Sequence, residues 1–99
     1  MDNLSVTTGL IKVSGSSRPS AVAGAIAGMM RQQSSTKVQA IGATAVNQAV
    51  KALAIAHRYL LSDGIYINCV PFFTAIAMED EEKTAICFLV GIDGTHQLG

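Results

Sequence analysis

The sequence contains no tryptophan, and aromatic residues make up only 5% of it, so its core must rest on Ala, Ile, Val, Leu and Met. Charge is scarce too, at 14% against a hydrophobic fraction of 49%. That balance excludes a disordered acidic or basic tail, which needs the opposite composition. Two prolines and nine glycines are too few for a collagen-like or low-complexity chain. The two cysteines, Cys69 and Cys87, sit in apolar strand-like runs and read as reduced core residues rather than a disulfide framework. The longest uninterrupted nonpolar run, Ala21–Met30, includes two glycines and is too short to cross a bilayer. The N-terminus has acidic Asp2 and no basic-then-apolar signal pattern, so the expectation is a cytoplasmic protein that does not engage a membrane. A chain of 99 residues has room for one core and one domain, with an ordered part over about 11–92 and short tails at 1–10 and 93–99.

Acidic residues are missing altogether between Asp2 and Asp63. Across Asn3–Ser62 the chain carries Lys12, Arg18, Arg31, Lys37, Lys51 and Arg58 with nothing to balance them. Asp63, Glu79, Asp80, Glu81, Glu82 and Asp93 then face Lys83 alone, and Asp2 brings the total to zero. Such segregation suits an anionic partner for the basic half, although two solvated faces would give the same count.

The apolar spacing sets out the elements. Leu10–Val13 reads as a strand, and Gly15-Ser16-Ser17-Arg18 punctuates it. Pro19 suits the first position of a helix, where its missing N–H costs nothing, with Arg18 or Ser17 before it as the cap. That helix is predicted over Pro19–Gln33, with Val22, Ile26, Met29 and Met30 facing the core. Ala21, Gly24, Ala25 and Gly28 make a small-residue side, and interior glycines cost a helix about 1 kcal/mol each. The stripe therefore suggests close packing against a strand or another helix, or a partner surface. After a loop over Gln32–Thr36, Val38–Gly42 reads as a second strand. A second helix is predicted over Thr44–Leu61, with Val46, Ala49, Val50, Leu53, His57 and Leu60 inward and Thr44, Asn47, Gln48, Lys51, Ile55 and Arg58 on the opposite face. Ile65–Met78 is strand-like, with Pro71 suggesting an edge position or a bulge, Glu79–Glu82 is a turn, and Thr84–Ile92 returns as a strand. The order is βαβαββ.

A βαβ unit brings its strand-to-helix corners to one edge of the sheet, so Gly15–Pro19 and Gly42–Asn47 should be neighbours. Each corner opens a helix and offers free N–H groups and partial positive charge. Ser16, Ser17 and Thr44 add hydroxyls, Arg18 a bidentate phosphate donor, Asn47 and Gln48 neutral polar groups, and Lys51 and Arg58 a continuing positive face. This set fits an anionic backbone, DNA or RNA, better than a catalytic centre, although simple capping would use the same residues. Catalysis finds little support: His57 falls on the apolar helix face, His96 in the tail, and no acid–base or nucleophile constellation, metal-ligand spacing or cofactor fingerprint occurs. No enzyme, metal or cofactor is expected.

Lys12-Val13-Ser14, Val22–Gly28, Gln39–Ala43, Asn47–Ala52 and Ala54-Ile55-Ala56 resemble the stage V sporulation protein S family, and Pro71, Phe73-Thr74 and Glu82–Ile86 continue the likeness. It covers about residues 11–90. The family is similar to the Alba group of nucleic-acid-binding proteins. The resemblance implies an α+β, Alba-like βαβαββ two-layer sandwich with a mixed four-stranded sheet and two helices. It also implies a homodimer or higher oligomer and a regulatory role in bacterial development such as sporulation. By the same likeness, the loop holding Ser16, Ser17 and Arg18 and the helix start holding Thr44, Asn47, Gln48 and Lys51 would face nucleic acid. The pattern tends to carry Lys at Ser16, Gly at Thr44 and Arg at His57, and this chain departs at all three. Alba-like proteins reach into a groove with a basic hairpin tip, whereas Glu79–Glu82 would repel phosphates, so the hairpin here is not expected to enter one. The alternative is an assembly module that self-associates through opposite-charge faces without nucleic acid.

Overall fold

A computed structural model describes residues 5–7 and 9–94. His96 and the end of the expected tail lie outside them. The elements are β1 (Ser5–Thr7), β2 (Leu10–Val13), α1 (Pro19–Gln33), β3 (Ser35–Ala40), α2 (Ala43–Leu61), β4 (Ile67–Met78) and β5 (Glu81–Ile92). The sheet order is β1-β2-β3-β5-β4. β2 and β3 are parallel, as a βαβ crossover requires, and the remaining neighbours are antiparallel. Four strands and two helices form the expected α+β, Alba-like arrangement. β1 is an addition: Ser5–Thr7, within the lead-in read as frayed, pairs with Leu10–Lys12 along the edge. Gly9 turns the chain between them at φ 78. Its carbonyl accepts the Thr36 hydroxyl at 2.7 Å and the Lys37 N–H at 2.9 Å, which ties this turn to β3.

The same tie explains why β3 begins earlier than the sequence suggests. Thr36, read as loop, is 3% exposed and paired with Val90. Its hydroxyl has a partner, so its burial carries no desolvation penalty. α1 ends at Ser34, which takes the left-handed conformation at φ 65 and returns its N–H to the Met30 carbonyl.

Both helices lie on one side of the sheet. Val22, Ala23, Ile26, Ala27 and Met30 of α1 close over Ile11, Val13, Val38, Phe88 and Val90. α2 buries Ala45, Ala49, Ala52, Leu53, Ala56 and Leu60. The expected inward face of α2 is thus rotated. Val50 is 49% exposed, and Val46 and His57 are half-buried on a flank. The physical reason is distance: a stripe of alanines lets α2 approach closely, and larger side chains are turned to its edge. His57 instead meets Tyr66 edge to face at 5.7 Å.

β4 is the far edge strand, where Pro71 is tolerated. α2 does not cover it. Cys69 is therefore exposed, not a core residue, whereas Cys87 on β5 is buried. Burial still pushes both thiols above their ordinary pKa, with the Lys37 charge partly opposing this at Cys87.

Of the small-residue stripe of α1, Ala25 packs against the core, but the two glycines do not serve a close approach. A Cβ added at Gly24 or Gly28 would meet nothing within 4 Å. The two glycines cost helix stability and gain no contact within the chain. Gly24→Ala with Gly28→Ala should therefore stabilise the fold by about 1 kcal/mol each, raising the thermal midpoint by several degrees. A calorimetric scan checks this, and a fall in the midpoint would show that the fold needs the glycines.

Candidate nucleic-acid interface

The two strand-to-helix corners meet as the topology demands. The Gln48 side-chain amide donates to the Ser17 carbonyl at 2.8 Å. A Cβ on Gly15 would lie 3.1 Å from the Thr44 methyl group. The loop after β2 therefore rests on the first two turns of α2, and glycine at 15 permits that approach.

Within the loop, serines hold one another. Ser17 is fully buried and its hydroxyl accepts the Ser14 N–H at 3.0 Å, while the Ser17 N–H donates to the Ser14 carbonyl at 3.1 Å. The Ser14 hydroxyl lies 3.1 Å from that of Ser16 and 3.2 Å from that of Ser17. The expected division of labour changes accordingly. Ser17 and Gln48 build the corner from inside, and neither presents its polar group outward for a phosphate. Ser14, which composition did not single out, is the loop's organising residue. Its signal was positional: the first residue past the strand, three before a buried serine.

Ser16, Arg18, Thr44, Asn47, Lys51 and Arg58 are exposed. Arg18 is the N-cap of α1 in extended geometry and makes no side-chain cap bond, while Gly42 caps α2 at φ 91 and has no side chain to make one. Neither helix has an acidic residue in its first turn. Two helix N-termini thus stand side by side without the carboxylates that usually complement such ends. Asn47 and Lys51 follow Thr44 and Gln48 on the same stripe, with Lys51 about 4.5 Å along the axis from Gln48. Arg58 lies a further 10 Å or so along, in the last turn, so it extends the stripe and is not part of the corner.

The other cations are elsewhere. Arg31, at the end of α1, donates through Nε to Asp63 at 2.8 Å. Lys12 and Lys37 alternate with buried Ile11, Val13, Val38 and Ala40, so they project from the open face of the sheet, away from both helices. The acid-free half is therefore not one patch. Arg18, Lys51 and Arg58 belong to the helical side, Lys12 and Lys37 to the opposite one.

The Gln48–Ser17 bond holds the corner together. Gln48→Leu should leave a partly buried carbonyl without its donor and cost about 1–2 kcal/mol, readable as a lower urea midpoint with unchanged slope. Among the described residues, no helix is long and apolar enough to cross a membrane. The family model described as stage V sporulation protein S matches residues 9–93, a span that takes in the whole corner, both helices and the hairpin. The chain belongs to the stage V sporulation protein S family.

Proposed function

We propose that this chain is a non-catalytic regulatory protein of the sporulation type, cytoplasmic, that binds the phosphate backbone of DNA or RNA with little sequence preference. The observation that carries this reading is the paired corner: two adjacent helix starts with no side-chain cap bond and no carboxylate in either first turn. The Gln48–Ser17 bond locks them together, and Arg18 and Lys51 flank that bond. A phosphate there meets backbone N–H groups, the positive helix ends and two cations at once. Contacts of this kind position a backbone and carry no base information.

The hairpin bears on the same end of the sheet. β3 is paired with β5 only up to Ala40 and Ile86, and β5 runs on to Glu81 beyond that point. At about 3.4 Å per residue, the arm projects roughly 17 Å past the corner edge and ends in Glu79 and Asp80. A polyanion on the corner must stay clear of it.

Self-association has a specific observation of its own. Phe73 is 76% exposed and shares the helix-side face of β4 with Cys69 and Pro71, while Val50 stands on the neighbouring flank of α2. β4 carries no charged residue over Ile67–Met78. An apolar surface of this kind favours a homodimer through the α2–β4 flank, in preference to assembly through opposite charges.

A low-salt anisotropy titration with DNA and RNA tests the first part. Arg18→Ala with Lys51→Ala should weaken binding about tenfold for all sequences alike, and should flatten the salt slope by up to about two. Neutralising the tip through Glu79→Gln, Asp80→Asn and Glu82→Gln should strengthen it. No association of the wild type at low salt would end this reading. Sedimentation tests the second part: Phe73→Glu should convert a dimer to a monomer, and a wild type that is monomeric at every concentration would refute it.

A further inference from the structure

The face of the sheet away from the helices has a pattern of its own. Read across the strands at one level, it aligns Lys12, Gln39, buried Cys87 and Phe72, each paired in register with the next. The next level presents Leu10, Lys37, Leu89 and Val70 in the same way. The face is thus divided along its width. Lys12, Lys37 and Gln39 lie on β2 and β3, with Leu10 at the margin; large apolar side chains occupy β5 and β4, with Val70 55%, Leu89 43% and Phe72 39% exposed.

Lys12 and Lys37 are diagonal neighbours on adjacent strands, where like charges work against each other. Among the described residues no ion pair to a carboxylate relieves them. They line a shallow depression of about 520 Å³ with Gln33 and Leu89, and Lys12 also lines a second one of about 430 Å³ with Gln39 and Met78. Among the described residues neither depression has an acidic lining residue. The acidic turn follows Met78 at the far end of the second, so the first is the more open to an anion.

A second copy of the chain fits this face poorly. A two-fold pairing sets the lysines either against the partner's lysines or against its apolar half, and both arrangements are unfavourable. A duplex offers the apolar half nothing, because its bases are stacked inward. A single strand offers both parts: phosphates for Lys12 and Lys37, and unstacked bases for Phe72 and its neighbours.

We propose that the open face of the sheet is a second binding surface, specific for single-stranded nucleic acid, with Lys12 and Lys37 holding phosphates while bases lie on Phe72, Val70 and Leu89. It is separate from the helix-side corner and does not depend on it.

The test is an anisotropy titration of labelled 20-nucleotide poly(dT) and poly(U) and of a duplex of equal length, at low salt. Lys12→Ala with Lys37→Ala should weaken single-strand binding at least tenfold and leave duplex binding unchanged. Phe72→Ala should weaken it about fivefold or more, and Phe72→Tyr should restore it, showing that the ring and not the fold is at issue. The corner variant Arg18→Ala with Lys51→Ala should weaken duplex binding and leave the single-strand effect of Lys12→Ala with Lys37→Ala intact, so failure of the corner and failure of this face are told apart. Wild-type single-strand affinity in the Lys12/Lys37 variant would overturn the proposal. So would loss of an oligomer in sedimentation on Phe72→Ala with nucleic-acid affinity intact, which would make this face an interface between copies.

Discussion

β2 and β3 run parallel and side by side, and a chain that joins two such strands must cross one face of the sheet. α1 is that crossover, and α2 packs beside it on the same side. From this constraint come the two features on which the proposed function rests. Both helices start at the ends of β2 and β3, so their N-termini are brought together whatever the loops contain. Among the described residues no helix covers the other face of the sheet, where Lys12, Lys37, Leu89 and Phe72 are exposed while the smaller Ala85 and Cys87 are buried. The serine loop and the Gln48–Ser17 bond refine the corner, but the topology creates it.

The alanines of α2 matter more than its bulky residues. Ala45, Ala49, Ala52 and Ala56 are all buried, and they let the helix lie close against α1 and the sheet. The consequence appears at the margin: Val46, Val50 and His57 move to the flank, and β4 extends past the helix layer. One choice of small side chains thus gives both a tight core and an uncovered apolar strip. Alanine-rich contact of this kind leaves little slack, so large side chains added in the stripe would lift α2 and disturb the corner as well as the core.

Much of this was legible in the residues. Pro19 after an extended Arg18 marks the start of α1, and the helix ends where its period stops, at Gln33. Pro71 and the β-branched run around it mark an edge strand. The face of α2 was harder, because hydrophobicity ranks Val above Ala while close packing prefers Ala. β1 was hidden because three residues have no readable period, and its pairing depends on the Gly9 turn meeting Thr36 from β3. Glycines 24 and 28 pointed to a contact that the chain does not make. At the site, spacing and topology identified the corner but not which polar groups turn inward. Ser17 and Gln48 look as available as Ser16 and Asn47 until the loop is folded.

Charge shows the same limit and its remedy. Counting along the chain gathers six cations into one half, but a count has no direction. Period two does. Buried Ile11 and Val13 fix Lys12 on the opposite face, and buried Val38 and Ala40 fix Lys37 there too. Arg31 is removed from the count by Asp63. The remaining cations divide between the helix side and the open face, while the acidic turn stands at the end of an arm that projects past the corner edge. A neutral total therefore conceals a molecule with two positive surfaces separated by the thickness of its sheet and a negative arm at one end. An approaching polyanion is drawn to either surface and turned away from the arm, so the arm limits the directions from which a long strand can cross the corner.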